Sequence, residues 1–98
     1  MVYKNLSSDE LKKMINNRED ILLIDVRTEE EFEKGNIDTS INISLQDLLY
    51  NIDELQDYKD KDIVIYCRSG HRSITACNLL SLEGFNKLYN LEHGIIGY

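Results

Sequence analysis

The sequence predicts an α/β fold, a three-layer sandwich with a mostly parallel central sheet and helices on both faces. Three observations predict it. Apart from Asp25, the runs at residues 21–26 and 63–66 are continuously apolar, as in strands buried on both faces. Between such runs lie segments whose apolar residues recur at helical spacing. Strands that alternate with helices imply parallel neighbours joined by right-handed crossovers.

The elements follow in order. Residues 2–5 read as a short edge strand. Ser7 with Glu10 forms a capping box, and Leu11, Met14 and Ile15 add an apolar stripe, so a helix spans 8–17. The first buried strand comes next, ending near Asp25. Thr28 with Glu31 repeats the capping pattern for a second short helix, and Gly35 is its expected left-handed stop. Ile41 and Ile43 flank a polar residue and suggest a short strand over 41–43. Leu45, Leu48, Leu49 and Ile52 mark a third helix. A polar turn over 57–62 enters the second buried strand. A fourth helix spans 72–83, with Ala76, Cys77, Leu79 and Leu80 facing inward and Gly84 as its stop. Residues 87–91 form a last strand.

Composition bounds the class of protein. The 98 residues are expected to form one domain over 1–98. Hydrophobic residues make up 42% and charged residues 30%, which excludes a disordered or fibrous chain. No apolar run, Ile21-Leu22-Leu23-Ile24 included, approaches the ~20 residues of a membrane span. Eighteen acidic against eleven basic residues give a net charge of −7, which disfavours nucleic acid as a partner. No basic segment followed by an apolar one opens the chain, and the two cysteines fit a reducing compartment. A cytoplasmic protein with no membrane or nucleic-acid partner is expected.

One segment carries chemistry: Cys67-Arg68-Ser69-Gly70-His71-Arg72-Ser73, between the second buried strand and the fourth helix. Open α/β sheets bind ligands beyond the carboxyl ends of their strands. Successive backbone N–H groups running into a helix start make a cradle for negative charge. Gly70 lets the loop turn tightly, and Arg68 and Arg72 add positive charge. The same surroundings lower the ionisation of a thiol. Cys67 is thus expected to be a thiolate nucleophile at the loop apex, outside the core. Its substrate would be a small anion held by Arg68, Ser69, Gly70, His71, Arg72 and Ser73.

The ordered series Leu23-Ile24-Asp25-Val26-Arg27, Glu31-Phe32, Gly35-Asn36-Ile37, Ile41-Asn42-Ile43, Tyr66 to Ser73, Gly84-Phe85 and Leu91-Glu92-His93-Gly94-Ile95 resembles the single-domain rhodaneses, a sulfurtransferase family. The likeness runs over about residues 5–98. It implies a rhodanese-like sandwich and transfer of sulfane sulfur from a donor such as thiosulfate to a thiol or cyanide. The intermediate would be a persulfide on Cys67. Asp25 and Arg27 match the family's Asp-Val-Arg segment, which implies that they order the active loop from behind. The acceptor thiol could belong to a partner protein. No cofactor is implied. Gly35-Asn36-Ile37 stands where the family often has Gly-His-Ile, and Tyr98 where it usually has Trp.

Two other functions fit the same loop. One is a rhodanese-fold persulfide carrier or binding module that does not turn over. The other is a small cysteine-dependent phosphatase or arsenate reductase, although Cys67 to Arg72 is Cys-x4-Arg, one residue shorter than the Cys-x5-Arg of phosphatases. The remaining residues have plain roles. Cys77 is expected to be a small buried hydrophobe, too far from Cys67 for a disulfide. His71 is expected to be a solvated loop residue and His93 structural. Asp25 is expected to pair with Arg27. The histidines and cysteines lack the Cys-x2-Cys or His-x3-His spacing of a zinc site, so no metal is expected.

Overall fold

A computed structural model describes residues 2–17 and 20–98. Its strands are β1 (Lys4–Leu6), β2 (Ile21–Asp25), β3 (Ile41–Asn42), β4 (Asp62–Tyr66) and β5 (Leu88–Leu91). Its α-helices are α1 (Ser8–Asn16), α2 (Glu29–Lys34), α3 (Ile52–Leu55) and α4 (His71–Leu82). The strands form one sheet in the order β1-β5-β4-β2-β3, and every pairing is parallel. The sequence therefore understated the sheet, which is wholly rather than mostly parallel.

Strand pleating sorts the core into two halves. Ile63 and Ile65 of β4 and Ile24 of β2 pack with Leu48, Ile52, Leu55, Ala76, Cys77 and Leu80, from the α3 and α4 side. Val64, Tyr66 and Leu23 point the other way and pack with Leu11 of α1, Ile37 and Leu91. Strands covered on both faces need apolar side chains at every position, which is why their runs show no alternation. Cys67 continues the parity of Ile63 and Ile65 and joins the α4 half.

Local chemistry fixes the helix starts. Both capping boxes form: Ser7 with Glu10, and Thr28 with Glu31. Gly84, at φ +93°, takes the left-handed conformation after α4. Two expectations fail. Gly35 ends α2 in an extended conformation, φ 160° and ψ 140°, because its carbonyl is turned to accept from Arg27 Nη2 at 2.6 Å. The third helix is α-helical only over Ile52–Leu55, and Leu45–Asn51 is a 3₁₀ helix. There the side-chain amide of Asn51 donates to the carbonyl of Asp47 at 2.8 Å, taking the acceptor that an α-helical N–H of Asn51 would use. Among the described residues, no helix is long and apolar enough to cross a membrane.

Candidate active site

The site begins where β4 ends. Tyr66 is its last residue, and the chain then turns through 67–70 into α4. Gly70 has φ +102°, and a Cβ there would overlap the carbonyl oxygen of Glu92. This is a place for glycine on two counts, conformation and space. Gly94 is similar, with φ +62° and no room for a Cβ against the carbonyl of Arg68. The segment after β5 also grips the loop from outside: Ile95 N–H donates to Cys67 O at 2.9 Å and Ile96 N–H to Arg68 O at 3.1 Å. Gly94→Ala is expected to loosen this grip and lower the melting temperature by several degrees or more, since strain of ~1–3 kcal/mol is large for a domain of this size. A thermal melt checks it; an unchanged melting point would contradict the packing described.

Within the turn, Gly70 N–H donates to Cys67 Sγ at 3.1 Å, and Ser73 Oγ lies 3.4 Å from the same sulfur. Cys67 is 1% exposed. It lies on the floor of the loop, contrary to the expected apex, because β4 parity drives it under α4 and residues 94–96 close over the turn. Burial pushes its thiol ionisation up. The Ser73 hydroxyl and the N–H groups of Ser73, Gly70 and Ser69 pull it down further, and the net shift is downward. Main-chain amides, more than side-chain charges, make the cradle.

The two loop arginines differ in their settings. Arg68 is exposed. Arg72 forms a two-pronged pair with Glu31, Nη1 to Oε1 at 2.8 Å and Nη2 to Oε2 at 2.9 Å. Glu31 is already oriented by its capping box with Thr28. Hydrogen bonding to Arg72, offset in part by burial and aided by the Thr28 N–H, holds the Glu31 carboxyl down at about 2. Its folded value lies below the unfolded 4.5, so the stability it contributes is present above pH 4.5 and lost as pH falls toward 2. Both side chains are about a third exposed, so the effect is modest and salt-sensitive. Glu31→Gln is expected to flatten part of the acid limb of a melting-temperature–pH curve. An acid limb identical to the parent's would count against this coupling.

Asp25 and Arg27 meet as expected. Asp25 is wholly buried, Arg27 is 6% exposed, and Arg27 Nη2 lies 2.6 Å from Asp25 Oδ2. The Arg27 N–H and Nε–H also donate to this carboxylate. The main chain here runs beside the loop, since Val26 N–H donates to Tyr66 O at 3.0 Å. The side chains, however, sit with the Tyr66 half of the core and order residues 35–42. Arg27 binds Gly35 O, Asn42 Nδ2 donates to the carbonyls of Asp25 and Arg27, and Tyr66 Oη accepts from Ile37 N–H.

The structure thus brings Cys67, Gly70 and Ser73 together at the sulfur. It leaves the side chains of Arg68, His71, Asp25 and Arg27 away from it. His71 is exposed and pairs with Ser69 Oγ at 3.2 Å. His93 is a surface side chain 3.3 Å from Glu92, not an internal support. Cys77 is buried and its thiol is pushed up to about 12 by that burial; neither cysteine forms a disulfide. Asn90, which accepts from Ser73, escaped sequence reasoning. Its signal was a polar residue inside the last apolar strand at an inward-facing position. An open cleft of about 730 Å³ lies between α2 and residues 42–47; Arg72 is in its wall and Cys67 is not. Among the described residues, no three side chains of the metal-ligating types converge.

Residues 7–98 match the family described as rhodanese-like domain. A protein named sulfurtransferase from Allochromatium vinosum is 37% identical over 93 residues, covering 95% of this chain and 85% of its own. YtwF of Bacillus subtilis is 38% identical over 98 residues, covering 100% of this chain and 92% of its own. The crystal structure of a rhodanese-like domain protein from Staphylococcus aureus superposes with a TM-score of 0.88 at 28% identity, over 96% of this chain and 89% of that one.

Proposed function

Since the chain belongs to the rhodanese-like domain family, we propose that it transfers sulfane sulfur through a persulfide on Cys67. The observation that carries this reading is the donor set around Cys67 Sγ: the Gly70 N–H at 3.1 Å, at a turn that runs directly into the N-terminus of α4. A thiolate there attacks the outer sulfur of a donor such as thiosulfate. The new bond is Sγ–S, the donor S–S bond breaks, and sulfite leaves with the electron pair. The persulfide keeps one negative charge, which the loop amides of residues 68–73 hold as they held the thiolate. A thiolate acceptor or cyanide then attacks the outer sulfur and releases the Cys67 thiolate. Splitting one transfer in two needs no cofactor and little proton movement, which fits the exposed position of His71. Arg68, exposed on the rim, meets the incoming anion. Asp25 and Arg27 support the loop through residues 35–42. Two free thiols suit a reducing, cytoplasmic setting.

Incubation with thiosulfate, followed by intact mass, tests the proposal. The expected result is one added sulfur on Cys67 that cyanide removes as thiocyanate. Absence of an adduct, or an adduct that persists in Cys67→Ser, overturns it. The burial of Cys67 favours a second reading, a carrier loaded and unloaded by a partner protein without turnover on small molecules. Repeated turnover with thiosulfate and cyanide decides against that reading. A phosphatase function has less support, because Arg72, the side chain that would grip a phosphate, is held by Glu31.

A further inference from the structure

A buried polar chain leads away from the sulfur, and the transfer steps above make no use of it. Ser73 is wholly buried and Asn90 is 1% exposed. Ser73 Oγ donates a short hydrogen bond to Asn90 Oδ1, and Asn90 Nδ2 donates to Asn5 Oδ1 at 3.1 Å. Asn5 and Asn90 are register partners across β1 and β5, and Asn90 is the register partner of Ile65 in β4. Strand parity therefore sets both amides on the face that carries Cys67. The chain runs from Cys67 Sγ through Ser73 and Asn90 to exposed Asn5 at the sheet edge.

A serine hydroxyl has one proton. While that proton lies on Asn90 Oδ1, Ser73 offers the sulfur only lone pairs. Those suit a thiol, whose S–H can donate to them; the hydroxyl pulls the ionisation of Cys67 down only with its proton turned to Sγ. To stabilise a thiolate the hydroxyl must turn its proton to Sγ and leave the buried Asn90 Oδ1 without a donor, an unfavourable state. We infer that Asn90 is a positioning residue that restrains the ionisation of Cys67 by holding the Ser73 proton. The loop amides favour the thiolate, Asn90 opposes them, and the balance sets how much thiolate meets a donor.

The other charges around the sulfur do not enter this chain. Arg72 on α4 is engaged by Glu31 of α2. Cys77, one helical turn beyond Ser73, stays neutral. Asp25 and Arg27 at the end of β2 neutralise each other. Arg68 and His71 are exposed on the loop. None of them bonds to Ser73 or Asn90, so a substitution at position 90 leaves them in place.

The inference rests on Cys67 as the reactive sulfur, but its test reads ionisation and not sulfur transfer, so the two can fail separately. The probe is iodoacetamide, with the rate at Cys67 followed by mass across pH. Asn90→Leu removes the acceptor at similar volume and frees the Ser73 proton, so the midpoint should fall by about one pH unit, a tenfold change in ionisation. Asn90→Asp supplies a stronger acceptor and a negative charge, so the midpoint should rise. In a Ser73→Ala background Asn90→Leu should no longer move it. Should the leucine variant not fold, Asn90→Ala takes its place with the same expected sign. A merely structural Asn90 would lower melting temperatures and leave the midpoint fixed. A fixed midpoint in folded variants, or an undiminished shift without Ser73, overturns the inference.

Discussion

A Cys67→Ser variant is expected to melt close to the parent and to lose sulfur transfer by roughly 10³-fold or more. The first half follows from the cradle. A serine Oγ accepts from the Gly70 N–H and bonds to Ser73 much as the sulfur does, so no buried polar group loses its partner. The second half follows from the chemistry. A hydroxyl stays protonated at neutral pH, where the loop holds a thiol closer to its ionised form, and oxygen forms no persulfide. A coupled thiosulfate–cyanide assay and a thermal melt give both numbers. Equal loss of activity and melting temperature would mean that Cys67 is a packing residue, and undiminished activity would move the chemistry elsewhere.

Arg27→Leu is the second large expectation, and its effect is on stability. Asp25 is wholly buried, and its carboxylate is held by Arg27 Nε and Nη2 at 3.0 and 2.6 Å and by the Arg27 N–H at 2.8 Å. Leucine leaves a buried charge with the main-chain bond alone, a loss of ~3–5 kcal/mol. For a domain of this size that is a fall in melting temperature of more than roughly 10 °C. Gly35 O loses its donor as well, so hydrogen exchange should speed up over residues 35–42 before it does over β4. Arg27→Lys keeps the charge but not the two-pronged geometry, and should fall between. Asp25→Asn combined with Arg27→Leu should recover part of the loss. A single Arg27→Leu variant that melts within a degree or two of the parent would show that the pair does not hold this end of the sheet.

What the sequence revealed was decided locally. Ser7 with Glu10 and Thr28 with Glu31 satisfy the first N–H groups of their own helices, so their spacing alone announces α1 and α2. The apolar runs of β2 and β4 state directly that both faces are covered. Cys67 at the end of β4 and Gly70 before α4 mark the cradle for the same reason. What stayed hidden was decided by partners far along the chain. The form of Gly35 depends on where Arg27 reaches. The 3₁₀ turns over Leu45–Asn51 depend on a carbonyl taken by the amide of Asn51. The depth of Cys67 depends on Gly94, Ile95 and Ile96 closing over the loop, and the charge of Arg72 is met by Glu31, 41 positions away. Asn90 becomes meaningful only when β5 lies beside β4 with α4 above it.

The central claim is that a nearly buried thiol, ringed by main-chain donors at a strand-to-helix turn, ionises more readily than a free one. The pH dependence of Cys67 alkylation in the folded wild-type protein tests it most directly, with Cys77 silent because burial pushes its thiol up to about 12. The account predicts a midpoint below the ~8.5 of an ordinary cysteine. A midpoint at or above that value would contradict it.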